Sequence, residues 1–65
     1  MTNDELYEFA CIRKAETDNA VLIVDLVSNE EIWIPLSQVD SMHFTKAGEG
    51  SIIITAWIAK KKGLI

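Results

Sequence analysis

Apolar and polar residues alternate along most of the chain and gather into a helical stripe at its end. In residues 7–14, Tyr7, Phe9 and Cys11 fall on one side and Glu8, Ala10 and Ile12 on the other, the period of two that marks a strand. A helix starting at Asn3 or Asp4 competes with that reading, because Asp4 and Glu5 suit a helix's first turn. Residues 16–19 are polar and predict a turn. Residues 20–27 are rich in branched apolar side chains and predict a strand. Ser28 and Asn29 predict a two-residue hairpin turn, since Asn tolerates positive φ. Residues 30–34 return as a strand that Pro35 ends, because proline cannot donate to a ladder. Residues 36–39 predict one helical turn and residues 41–44 a short strand. Residues 46–50 form a loop with two glycines, and residues 51–54 a last strand. Thr55 is then the N-cap of a helix over residues 56–62. Lys60, Lys61 and Lys62 complement the dipole of its last turn. Gly63 supplies a left-handed cap, with Leu64 packing back on the helix.

The central hairpin constrains the architecture. A two-residue turn pairs Val27 with Glu30 and Asp25 with Ile32. Ile23, Asp25, Val27, Glu30 and Ile32 then share one face; Leu22, Val24, Leu26, Glu31 and Trp33 share the other. Both faces are largely apolar, and one short helix cannot cover both. The sheet must curl on itself or present a face to a second chain. The expected fold is α+β: a single domain over residues 1–65, with a small, curled, barrel-like antiparallel sheet of four or five strands and one C-terminal helix. A homodimer stays open as an alternative way to cover the second face.

Composition sharpens this expectation. The chain has 65 residues with a single cysteine and a single histidine. It can form neither an internal disulfide nor a zinc site of two cysteines and two histidines. Small unstapled domains are marginally stable, yet 49% of the residues are apolar. That surplus implies a dense core or apolar surface covered by another molecule. No apolar run approaches the roughly 20 residues that cross a bilayer. The acidic start is unlike a basic signal peptide, and with the lone cysteine it predicts a cytoplasmic protein. The net charge of −4 is unevenly spread: residues 1–44 carry −7, and residues 45–65, with Lys46 and the three terminal lysines, carry +3.

Catalytic chemistry finds little support. Cys11 and His43 could form a nucleophile and base, but Cys11 alternates with Phe9 on an apolar face and reads as a buried cysteine. His43, between Met42 and Phe44, reads as a packed or surface residue. Glu30 and Glu31 point to opposite faces of a strand and cannot share an ion. Glu16 and Asp18 lack the other oxygen ligands of a calcium loop. Residues 48–50 have no phosphate-loop signature. No cofactor, metal or catalytic residue is expected. Trp33 and Trp57 could stack bases, but core packing is the default for both. The acidic surface is a better candidate, because negative charges on short strands and turns can occupy a basic groove built for DNA, with fast, steered association. Its proposed contacts are Glu16, Asp18, Asp25, Glu30 and Glu31. The expected partner is a host protein with a basic nucleic-acid-binding surface; neither a membrane nor direct nucleic-acid binding is expected.

Two segments carry a resemblance. Ile32-Trp33-Ile34-Pro35-Leu36-Ser37-Gln38-Val39 resembles a "WIPxSQI" pattern. Residues 55–64, which contain Trp57, Ala59, Lys62, Gly63 and Leu64, resemble a "WxAxxKGL" ending. Together they are similar to a group of small phage and mobile-element proteins of uncharacterised function. The resemblance implies a phage-type accessory protein. By analogy of class, it points to small acidic inhibitors of bacterial defence, among them anti-CRISPR proteins that imitate DNA. The rival expectation is an accessory module of phage DNA replication or recombination. Such a module would contact nucleic acid through Lys46, Lys60, Lys61 and Lys62, or would bind a partner enzyme.

Overall fold

The computed structural model describes residues 5–65; the alternative helix start at Asn3 or Asp4 lies outside them. Five strands form one antiparallel sheet: β1 (Leu6–Glu16), β2 (Ala20–Asp25), β3 (Glu31–Pro35), β4 (Val39–Phe44) and β5 (Glu49–Thr55). A 3-10 turn over Leu36–Gln38 joins β3 to β4, and the helix α1 (Ala56–Lys61) follows β5. Residues 7–14 are therefore strand.

The strand order is β3-β2-β1-β5-β4, so β3 and β4 are opposite edges. In a flat sheet they would lie four spacings, roughly 19 Å, apart. Only three residues separate their ends, and a 3-10 turn advances about 2 Å per residue. The connection therefore forces the edges toward each other at that end. The curl is loose, and no ladder joins β3 to β4, so the sheet is not closed into the expected barrel. Register shifts between Arg13 and Ala15 in β1 and between Val39 and Ser41 in β4 supply the bending. Gly50 in β5 serves the same end, since a Cβ there would collide with the His43 carbonyl on β4.

The inner face holds the core. Cys11, Val21, Ile23, Ile34, Ile52 and Ile54 are fully buried, and Ile32 nearly so. Phe9, Met42 and Phe44 pack around them. The helix closes this interior with Ile58 and Ala59. Its ends follow the local chemistry of the sequence. The Thr55 hydroxyl accepts from the Ile58 amide at 3.3 Å and donates to Gln38 Oε1 at 2.8 Å. At the other end Gly63 takes φ 77°. The Gly63 amide donates to the Lys60 carbonyl and the Leu64 amide to that of Ala59, a complete Schellman cap. Leu64, expected to pack back on the helix, packs against the core cluster to which Ile58 and Ala59 of that helix belong.

The β2–β3 register differs from the sequence expectation. Ile23 pairs with Ile32 and Val24 with Glu31, two residues away from the expected pairing. The cause is Asp25. Its carboxylate accepts the Val27 amide at 3.3 Å and the Ser28 hydroxyl at 3.1 Å. Its carbonyl accepts the Asn29 amide at 2.6 Å. These bonds wind residues 26–29 into a four-residue loop, which Asn29 leaves at φ 63°. A slip of two preserves parity, so Leu22, Val24, Glu31 and Trp33 still share a face, as expected.

Candidate functional site

The inner face offers no accessible chemistry at its cysteine. Cys11 is fully buried. Burial, with a smaller contribution from the Asp25 carboxylate paired across from it, pushes the thiol up to about 11. His43 is exposed and stands opposite Ser51 on the outer face. Thiol and imidazole thus lie on opposite sides of the sheet and form no pair. No cluster of metal-ligating side chains occurs among the described residues.

The five acids read from the sequence do not converge. Glu16 ends β1 and faces Arg13 at 3.7 Å, both side chains being partly exposed. Asp18 is exposed in the β1–β2 turn, which the Thr17 hydroxyl organises by accepting the Asn19 and Ala20 amides. Glu30 and Glu31 are exposed at the other end of β2, roughly 17 Å away along six residues of strand. Asp25 is 7% exposed and committed to its own loop. A role for it in contacting a partner directly does not fit that placement.

The outer face assembles a different group. One row across the sheet reads Glu31, Val24, Ile12, Glu49, from β3 to β5. The neighbouring rows contribute Trp33, Leu22 and Ala15 on one side, and Ala10, Ser51 and His43 on the other. Leu26 continues from Val24, its amide directed at the Ala10 carbonyl, and is half exposed. Glu8 stands beyond, opposite Ile53, and accepts the Ser51 hydroxyl at 3.0 Å. None of these register positions holds a lysine or arginine; the exposed Lys14 sits in the β1 bulge between Ile12 and Ala15. The result is an apolar centre of Trp33, Leu22, Val24, Leu26 and Ile12 bordered by Glu8, Glu31 and Glu49. Protein interfaces share this arrangement of an apolar core inside a polar rim.

Trp33 is 43% exposed and Trp57 47%, which corrects the expectation that both pack in the core. Trp33 has outer parity on β3, between the buried Ile32 and Ile34. Trp57 lies on the side of α1 turned away from Ala56, Ile58 and Ala59. Glu8 and Glu49 were missed by sequence reasoning. The alternation of Glu8 with Tyr7 and Phe9 was visible, whereas Glu49, expected in a loop, opens β5; that both share a face with Glu31 depends on a strand order that no local pattern encodes.

Comparison with known protein families, curated proteins and solved structures finds no match to this chain. The phage-type resemblance therefore rests on its two sequence segments.

Proposed function

We propose that this chain is a non-enzymatic, phage-type binding protein whose acidic outer sheet face docks on a basic, nucleic-acid-binding surface of a host protein. In its most concrete form it is an anti-CRISPR-like inhibitor that excludes DNA from a defence complex. The observation that carries the reading is the outer face itself: an apolar centre with Glu8, Glu31 and Glu49 on its rim and no cation among its register positions. Exposed like charge steers association with an oppositely charged surface, and the apolar centre supplies the contact area once the surfaces meet.

The spacing refines the mechanism. Glu31 and Glu49 stand three strands apart, roughly 14 Å, whereas phosphates along one DNA strand advance about 3.4 Å per nucleotide. The face does not copy a phosphate run charge for charge. It acts by covering the basic site, with the carboxylates drawing it there.

The rival reading, an accessory module that touches nucleic acid directly, draws support from Lys61, whose ammonium lies 4.9 Å from the centroid of the exposed Trp57 ring. One experiment separates the two. The protein is used to capture partners from a bacterial lysate with and without nuclease, and recovered partners are challenged with duplex DNA. Docking as proposed gives nuclease-resistant capture that duplex DNA competes away and that E31K/E49K loses. A mobility shift of an oligonucleotide by the protein alone, with no such capture, would sink it in favour of the rival.

A further inference from the structure

Two exposed faces of this molecule are complementary to each other. On α1, Trp57 is followed at i+3 and i+4 by Lys60 and Lys61, which places the three on one side of the helix. Lys60 and Lys61 are exposed, and Trp57 is nearly half so. This face is an aromatic plate with ammonium groups beside it. The outer sheet face is an apolar centre with carboxylates around it. Neither is covered by the described residues of its own chain.

We propose that the Trp57–Lys60–Lys61 face of one molecule docks on the Glu31–Val24–Ile12–Glu49 face of a second copy, so that the chain self-associates head to tail. Charge selects this pairing. Two outer faces brought together would set Glu8, Glu31 and Glu49 against their own copies, and two helix faces would set lysines against lysines. Only the unlike pairing opposes opposite signs and covers both exposed tryptophans. Such a contact is heterologous and leaves one free surface of each kind at the ends of the assembly.

The contact is small. A standard interface removes about 800 Å² from each partner, nearly a fifth of this molecule's 4252 Å². A two-turn helix face offers less than that. Association is therefore weak, dependent on concentration and sensitive to salt. It shares the acidic face with the host-docking reading but needs no other protein, so either can fail without the other.

The test is sedimentation equilibrium of the full chain over a range of protein concentrations. It is run at about 0.01 M ionic strength, where charges act over roughly 30 Å, and at about 1 M, where they act over roughly 3 Å. The expected result is a weight-average mass that climbs above 7.3 kDa with concentration at low salt and falls back at high salt. K60E/K61E and E31K/E49K should each be monomeric, with circular dichroism confirming that they fold. Mixing them should restore association, because each supplies the surface the other lacks. A mass of one chain under every condition overturns the proposal. So does association that survives in both variants, which would mean contact between like faces.

Discussion

Replacing Asp25 separates a structural carboxylate from a recognition carboxylate. Its side chain is almost fully buried and accepts two hydrogen bonds, from the Val27 amide and the Ser28 hydroxyl. Bonds to an ionised group contribute about 1.5–3 kcal/mol each. Both donors here border solvent and can turn to water, so the lower part of that range applies. Asp25→Ala should cost about 2–3 kcal/mol in all. Asp25→Asn retains an acceptor for the amide and lets the serine hydroxyl accept instead of donate, at a cost of about 1 kcal/mol. Near the melting midpoint of a domain this size, 1 kcal/mol shifts Tm by roughly 4–8 °C. Thermal unfolding followed by circular dichroism should therefore place Asp25→Ala at least about 8 °C below the parent, with Asp25→Asn between them. Glu30→Ala and Glu31→Ala, on exposed side chains, should stay within about ±0.5 kcal/mol. An Asp25→Ala protein as stable as the parent would refute the claim that this carboxylate winds the loop and sets the β2–β3 register.

Three further outcomes follow from the same geometry. Thr55→Ala removes both the helix cap and the bond to Gln38 and should cost about 2 kcal/mol in urea denaturation, whereas Thr55→Ser should recover most of it. Gly50→Ala drives a methyl group into the His43 carbonyl and should destabilise by about 3 kcal/mol; unchanged stability would show that β4 and β5 do not approach so closely there. The Cys11 thiol, pushed up to about 11 from 9.0, should resist alkylation at pH 8 in the folded protein and react on denaturation. Because the folded state holds this proton more tightly than the unfolded state, stability should decline as pH rises from 9 toward 11, and Cys11→Ala should lose that decline.

Much of the fold was legible because strand parity and helix caps depend on neighbours in the chain. The alternation through Tyr7, Phe9 and Cys11 placed β1's inner face. Thr55 and Gly63 marked the helix ends, since each cap is closed by residues three to five positions away. Asn29 was rightly read as a positive-φ residue, but the loop length was not legible. It depends on where the Asp25 carboxylate finds donors, and a two-residue slip leaves the hydrophobic pattern unchanged. Trp33 shared a strand face with Leu22 and Val24 in the sequence and was expected in the core; its exposure was decided only in the tertiary structure, where none of the described elements covers that face.

The sequence by itself determined which residues share a face of each strand, where the helix begins and ends, and how unevenly the charge is spread. All of these follow from the period of the backbone and from contacts within a few residues. Tertiary structure decided which strands are neighbours. It is strand order that sets Glu31 in a row with Glu49 and lets Ser51 reach Glu8 across 43 positions, and the packing of the described elements that leaves both tryptophans about half exposed. Those outcomes rest on long-range pairing and on the curl that a three-residue turn imposes on the sheet, where the deciding contacts are distant along the chain and adjacent only in space.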